Sequence, residues 1–257
     1  MGKVRVYLSI SVMLALLAMG AGSAMAHPLK TNLYGLDGLF TATGGTTIAA
    51  GQLALGASML VISDDEIDGS NLPVSITYGA TDSIEIAAAF EVNKNYDDGV
   101  DDDSGTGDIY LSGKFALQEE NADYPATALG IRLKLPMADT PLSNEETDIS
   151  LFAAMEMMMK SVKGILNLEY ILPGGDDFNQ IQYVVALEIP YSDTTAFSLE
   201  LIHQPFFTAQ PLQGDILSGG ATFDMGSALN FGVAVGLGLN EDLSSDFAAQ
   251  GKLTFTF

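Results

Sequence analysis

Several residue types that support common protein chemistries are rare or missing in this chain. Its 257 residues include no cysteine and no tryptophan, and only ten basic residues stand against 33 acidic ones, for a formal charge of −23. Without cysteine, disulfide scaffolds, thiolate metal sites and thiol catalysis are excluded. Nucleic acid is a poor partner for such a chain, because phosphate binding needs clustered lysine and arginine.

Long apolar runs are also missing beyond the N-terminus, although the mean hydropathy is positive at +0.25. A membrane-spanning helix needs about 20 consecutive apolar residues, so the apolar residues of this chain must follow a different pattern. A positive hydropathy without such runs is unusual for a soluble globular protein. It is typical of a transmembrane β-barrel, whose strands alternate between lipid and lumen.

The first 26 residues have the pattern of a secretory signal peptide. Lys3 and Arg5 precede a short apolar run over 12–19, and Ala24 and Ala26 provide a small-x-small cleavage site. A membrane anchor helix is the alternative, but the run is short for spanning a bilayer. We therefore expect residues 1–26 to direct export, followed by an N-terminal segment over 27–50 and a barrel domain over 51–257.

From residue 51 onward the dominant hydrophobic period is two, which indicates β-strands. Twelve segments have about the length of tilted membrane strands. The predicted strands are 51–62, 72–79, 83–92, 107–118, 126–136, 148–158, 161–172, 179–189, 195–203, 215–223, 229–239 and 246–257. Long acidic connections alternate with generally shorter ones, as the external loops and periplasmic turns of outer-membrane barrels do.

Alternation alone also fits a soluble β-sandwich, so the composition of the polar face decides between the two folds. In 229–239 the apolar residues form one face, and Gly232, Ala234, Gly236 and Gly238 lie on the other. Glycine weakens a water-exposed strand, whereas small residues on an inner wall leave room in a lumen. The prediction is an all-β fold, a transmembrane antiparallel up-and-down β-barrel of about twelve strands in a bacterial outer membrane.

The end of the chain supports this fold by resemblance. The alternate apolar residues Leu253, Phe255 and Phe257 resemble the C-terminal signal of Gram-negative outer-membrane barrels. The resemblance implies that Phe255 and Phe257 are read by the barrel-assembly machinery. Residues 38–43 and 73–79 are similar to poorly characterised transporter-like or porin-like barrels, a likeness that fixes no substrate.

With the apolar faces toward lipid, the charged residues of the strands would line a lumen or constriction. These residues are Lys114, Arg132, Lys134, Glu156, Lys163, Glu169, Glu188, Glu200 and Lys252. Lys114, Arg132 and Lys134 would form a basic patch, and the glutamates at 169, 188 and 200 an acidic one, with a transverse field between them. A two-residue turn at 159–160 would place Glu156 opposite Lys163.

Two functions remain open at this stage. The first is an outer-membrane channel for passive diffusion of small polar or weakly charged solutes, favoured by the glycine-lined wall. The second is a closed barrel, filled by ion pairs, that acts through acidic external loops as a receptor, adhesin or envelope-structural protein. Barrels of eight strands are filled by side chains and barrels of sixteen strands are open, so a barrel of twelve strands fits either function. Residues 27–50 could stay in the periplasm, enter the lumen or add a strand.

Catalysis, metals and cofactors are not predicted. His203 has proline at 205 and leucine at 201 on its own face, without the nearby serine that a barrel lipase needs. The acidic stretches 64–68 and 97–103 are charge runs that could attract divalent cations diffusely rather than bind them at a site. The expected partners are therefore outer-membrane lipid and lipopolysaccharide, the assembly machinery, small solutes and diffuse cations.

Overall fold

The fold comes from a computed structural model. It describes residues 29–63, 68–97, 99, 102–138, 142–143, 145–175, 178–204, 214–239 and 246–257. The described residues are all-β, and none of them forms a helix long and apolar enough to cross a membrane. The predicted signal peptide over 1–26 lies outside the described residues.

The described residues form thirteen antiparallel strands, and each predicted strand overlaps one of them. They are β1 (Leu53–Ser63), β2 (Asp68–Thr81), β3 (Ile84–Asp97), β4 (Asp102–Gly105), β5 (Ile109–Gln118), β6 (Ala126–Leu135), β7 (Asp148–Met159), β8 (Val162–Leu172), β9 (Gln180–Ser192), β10 (Thr195–Gln204), β11 (Gly214–Met225), β12 (Leu229–Gly238) and β13 (Phe247–Thr256).

Twelve of these strands close into a barrel. Each pairs with its sequence neighbours, β3 pairs with β5, and β1 pairs with β13, so the sheet has no free edge along the wall. The additional short strand β4 folds back on the outer end of β3. The predicted all-β, twelve-stranded, up-and-down architecture is therefore confirmed.

The two faces of the wall also have the predicted orientation. On β12 the side chains of Val233, Val235 and Leu237 are exposed on the outer surface, with 43%, 58% and 62% of their area accessible. The intervening Ala234 and Gly236 are buried inside. On β13 the inward positions are Gln250, Lys252, Thr254 and Thr256, all of them buried. On these two strands the exposed and buried positions therefore alternate as the period-two pattern predicts.

The predicted long connections 63–71 and 93–106 are partly strand, because β2 and β3 are longer than membrane crossing requires. β2 and β3 each have 14 residues, whereas about 9–11 suffice to span. Their ends pair with each other and with β4, which places Asp97 opposite Asp68 and Asp102. The described residues contain no group of three acidic or histidine side chains arranged to hold a metal, and residues 64–67, 98, 100 and 101 lie outside the described part.

The two rims of the barrel differ in their connections. At one rim short links join consecutive strands, such as 82–83 and 160–161; we call this the short-turn end. At the other, the long-loop end, the links are mostly longer, for example 136–147 and 205–213. Leu29 and Phe257 both lie at the short-turn end, where the Leu29 amide donates to the Thr256 hydroxyl.

Candidate functional site

The lumen of the short-turn half is filled by residues 29–50, which we call the plug. The plug is irregular and folds on itself through main-chain hydrogen bonds, including Leu33 N–H to Phe40 O at 3.0 Å and Gly38 N–H to Lys30 O at 2.8 Å. Leu36, Leu39 and Phe40 are almost completely buried. Of the three placements that the sequence left open for this segment, the described residues adopt the one inside the barrel.

Three wall glutamates hold the plug by its main chain. Glu200 accepts the Phe40 and Thr41 amides, one on each carboxylate oxygen, at 3.0 Å. Glu85 accepts the amides of residues 37 and 48 at 2.9 and 3.0 Å. Glu156 accepts the Gly45 amide at 3.0 Å and the residue 46 hydroxyl at 3.1 Å. Hydrogen bonds to a charged acceptor are among the stronger ones in proteins, so these carboxylates stabilise the plug mainly through its main chain.

Wall cations bind the carbonyl groups of the same segment. Lys252 Nζ donates to Thr31 O at 3.2 Å and to Leu39 O at 2.9 Å. Lys114 Nζ lies 3.4 Å from two further plug carbonyls, at residues 37 and 44, and 3.3 Å from the carboxylate of Glu85. Both lysines are almost completely buried. Buried charges need such partners, because desolvating a lone ion costs several kcal/mol.

The glycine-lined wall accommodates an aromatic side chain of the plug. A Cβ atom at Gly220 would lie 2.6 Å from Phe40 Cε2, and one at Gly232 would lie 3.0 Å from Phe40 Cζ. Lys252 Nζ lies 4.7 Å from the centre of the same ring, within the range of a cation–π interaction. In this conformation the small residues on β11 and β12 therefore make room for Phe40.

A second layer of charged residues lies toward the long-loop end. Arg132 Nη1 contacts both carboxylate oxygens of Glu169, at 2.7 and 2.9 Å, and Lys134 Nζ lies 2.7 Å from Asp148. The guanidinium of Arg132 stacks over the ring of Tyr34, a plug residue, at 4.0 Å. The Nζ atom of Lys94 lies 3.8 Å from a carboxylate oxygen of Glu91 at the same level. We call these three pairs of wall residues the ion-pair layer.

The predicted basic patch is thus divided among individual acidic partners. Lys114 pairs with Glu85, Arg132 with Glu169, and Lys134 with Asp148. The acidic patch is divided too. Glu200 binds plug amides and Glu188 binds Lys30. Eight of the nine residues that the sequence singled out therefore make direct contacts in one of two layers, and Lys163 lies opposite Glu188 in the register of β8 and β9.

The predicted register between Glu156 and Lys163 is wrong. The hairpin turns at 160–161, one residue later than expected, because Lys160 takes the positive φ of 61° that opens the turn. Glu156 therefore lies opposite Ile165, and Lys163 lies opposite Met158 on one side and Glu188 on the other. The carboxylate of Glu156 is directed to the plug instead.

A small cavity separates the plug from the ion-pair layer. It is lined on the plug side by Tyr34, Thr41 and Thr43 and on the wall side by residues that include Arg132, Asn167 and Glu169. Its free volume of about 10 Å³ is close to the minimum for one water molecule. In this conformation a larger solute would have to displace the plug.

Sequence reasoning missed several residues that contact the plug. Asn167 accepts the Thr43 amide and donates to the Thr43 carbonyl, both at 2.6 Å, and Thr254 accepts the Thr31 amide at 3.2 Å. In the sequence, both are only polar residues within alternating strands. The inward carboxylates at 156 and 200, which have no wall cation as a direct partner among the described contacts, are the signal that could have indicated a segment with free amides.

His203 lies on the outer surface near the long-loop end. Its Nδ1 atom is 2.6 Å from a carboxylate oxygen of Asp215, and its ring stacks on Tyr183 at 4.7 Å. Asp215 and Tyr183 are its register partners on the neighbouring strands. Asp215 could orient the histidine, but neither partner is a nucleophilic serine, and the pair stays at the rim of the apolar band.

Comparisons with known proteins place this geometry among outer-membrane β-barrels. An outer membrane channel from Pseudomonas putida F1 has a TM-score of 0.63 at 14% identity, over 82% of this chain and 97% of that one. The KdgM porin in complex with disordered oligogalacturonate has a TM-score of 0.54 at 8% identity, over 80% and 99%. No curated protein matches the chain. A family profile covers residues 37–257, and the chain therefore belongs to the family described as "Putative MetA-pathway of phenol degradation".

Proposed function

We propose that the protein is an outer-membrane channel for small polar or weakly charged solutes, closed by its own plug in the conformation described here. The short-turn end, with Leu29 and Phe257, would face the periplasm, as in other outer-membrane barrels. The family description supports small aromatic solutes of the phenol type as candidates. The fold that the chain shares with an outer membrane channel and a porin supports passage through the lumen.

One observation carries the proposal: the short-turn half of the lumen is filled by a separate segment of chain and not by the wall's own side chains. The wall that faces Phe40 consists largely of small residues, among them Gly220, Gly232 and Ala234. Movement of the plug would therefore empty the short-turn half of the lumen. The charged side chains that now hold the plug would then face water, in which unpaired charges are solvated.

A reversible tether across the plug and the wall tests this proposal. An ideal Cβ at Gly56 would lie 3.7 Å from the Cβ of Thr31, close to the mean Cβ–Cβ distance of a disulfide. Because the chain has no cysteine, Thr31→Cys with Gly56→Cys would form the only disulfide. Residue 53 is already fixed in β1, so oxidation would hold both ends of the plug.

We expect the oxidised double variant to show far fewer conductance steps in planar bilayers than the same protein after reduction. Each single-cysteine variant should be insensitive to reduction and serves as the control. Ser75→Ala belongs in all three proteins, because the Ser75 hydroxyl lies against the added Cβ. Equal conductance in the oxidised and reduced states would show that ions do not need the plug to move.

The second candidate is the closed barrel that acts through its external loops. The observation that favours it is the ion-pair layer, in which Arg132 and Lys134 are already satisfied by Glu169 and Asp148. Absence of conductance and of liposome swelling from folded protein, before and after reduction of the tether variant, would select this function over the channel.

A further inference from the structure

The plug also contacts the barrel where the first and last strands meet, which we call the closing seam. β13 forms one side of this seam. Its four successive inward residues all bind the plug: Thr256 and Thr254 accept the Leu29 and Thr31 amides at 3.0 and 3.2 Å. Lys252 and Gln250 donate to plug carbonyls, at residues 31 and 39 and at residue 40. The plug is therefore in contact with most of the length of β13.

Thr31 lies directly over the seam. Gly56 of β1 and Thr254 of β13 are register partners, and Thr31 contacts both. The hydroxyl oxygen of Thr31 is 2.8 Å from the Thr254 hydroxyl. A Cβ atom at Gly56 would lie 2.8 Å from the hydroxyl oxygen of Thr31 as well. Thr31 therefore fits only where a residue without a side chain faces Thr254.

Apart from the contacts of Thr31, the inward side chains of the seam do little to fix the register between β1 and β13. The inward residues of the first half of β1 are Ala54, Gly56 and Ser58, opposite Thr256, Thr254 and Lys252. Small residues specify register weakly, and a shift of two residues would keep every side chain on its own face. The closing strands also lie far apart in sequence, since the register partners Ala54 and Thr256 are separated by 202 positions, and their pairing carries a loop-closure cost.

We propose that the start of the plug, residues 29–31, sets the register of the closing seam during assembly, in addition to any role in closing the lumen. The plug is joined to β1 through residues 50–52, so it is held at the inner face of β1 before β13 arrives. The hydroxyls of Thr254 and Thr256 then accept the amides of residues 31 and 29, respectively. Unpaired strand edges are costly in lipid, so a guide that aligns the two edges favours closure.

The test uses the full chain carrying Thr254→Val and Thr256→Val, refolded from urea into phosphatidylcholine vesicles. Valine keeps the branched shape of threonine and removes both acceptors. Cysteine pairs report the register by oxidation. Ala57 with Leu253 marks the native register, whereas Ala57 with Gly251 or with Phe255 marks a shift of two residues. Diagonal neighbours lie about 7–8 Å apart, too far for a disulfide in the native barrel.

We expect the valine variant to fold about tenfold more slowly, because two hydrogen bonds that guide closure are lost. We also expect disulfides to form between positions 57 and 251 or between positions 57 and 255. Asn167→Ala is the matched control, because it removes two plug hydrogen bonds on β8, far from the seam; it should keep the native register. Thr254→Ser with Thr256→Ser retains the acceptors and should fold as the unaltered chain does.

Unchanged folding rate and unchanged disulfide pattern in the valine variant would overturn the proposal. Failure of the serine variant to fold would also overturn it, because the methyl groups and not the hydroxyls would then matter. A valine variant that does not close, beside a serine variant that does, would support it. None of these outcomes depends on whether the barrel conducts.

Discussion

At the scale of single residues, the buried charges of the lumen are satisfied in two ways. Arg132 and Lys134 pair with carboxylates of the wall, whereas Glu200 binds amides of the plug. Breaking a buried pair by removing one partner is strongly destabilising, because an uncompensated charge remains. Each charged residue in the lumen therefore contributes both to stability and to the electrostatic potential along the axis.

Replacing Lys114, Arg132 and Lys134 by glutamine should shift the ion preference of the open barrel toward cations. The change would leave Glu85, Glu169 and Asp148 without their closest basic partners, and rings of acidic side chains favour cations. The measurement is the reversal potential across a planar bilayer in a salt gradient. Lys160→Gln, in an exposed turn, is the control; a reversal potential that the triple variant leaves unchanged would remove these residues from the ion path.

At the scale of elements, β11 and β12 shape the cavity that receives the plug. Gly220 lies against Cε2 of the Phe40 ring and Gly232 against Cζ. The ammonium group of Lys252, on β13, lies over the face of the same ring. Glycine within a strand is otherwise unfavourable. The cost is offset here by the close approach of an aromatic side chain, so the glycines couple the wall to the position of the plug.

Gly232→Val should displace the plug. The nearest atoms to a Cβ at this position belong to the Phe40 and Lys252 side chains, at 3.0 Å, and overpacking of this kind costs roughly 1–3 kcal/mol. With Thr41→Cys as a reporter, we expect labelling by a membrane-impermeant thiol reagent to become about tenfold faster.

Two companion variants make the result specific. Gly251→Val lies on the outer face of β13 with no atom within 4 Å of the added Cβ, and it should leave the labelling rate unchanged. Phe40→Ala, combined with Gly232→Val, should relieve the overlap between the two side chains. Equal labelling of the Gly232 and Gly251 variants would argue against a packing role for the inner glycine.

How far an element can be predicted from its residues depends on what surrounds it. Wall strands were predicted because lipid and lumen impose a strict period of two, as in β12. The plug has no such period, since its hydrogen bonds join main chain to wall side chains such as Glu85 and Glu200. The turn at 160–161 was misplaced because nothing in the residue type of Lys160 predicts a positive φ.

At the scale of the whole molecule, the outer surface carries an apolar band, and the pair of His203 and Asp215 lies near its rim. The band is what allows the barrel to exchange water for lipid. It was predictable, because the faces follow from alternation alone. The partners of the inward charges were not, since they depend on the register of strands and on a segment without regular structure.

Val235→Arg should destabilise the protein in bilayers by about 2–4 kcal/mol, because an arginine would be placed on the lipid face near the middle of β12. Leu239→Arg, just beyond the end of the same strand and similarly exposed, should cost about 0–1 kcal/mol. Urea unfolding from vesicles measures both free energies. Equal values for the two variants would contradict the assignment of this surface to lipid.

The wall glutamates hold residues 37–48 through main-chain amides, and this has a consequence for redesign. Carboxylates at 85, 156 and 200 recognise amide hydrogens that every amino acid except proline supplies. A foreign peptide of the same length, with glycine retained at the tightest crossings such as Gly38 and Gly45, should therefore seat in the same cradle. The barrel could then accept exchangeable inserts in its lumen. Each variant would open when a ligand binds its insert or a protease cleaves it.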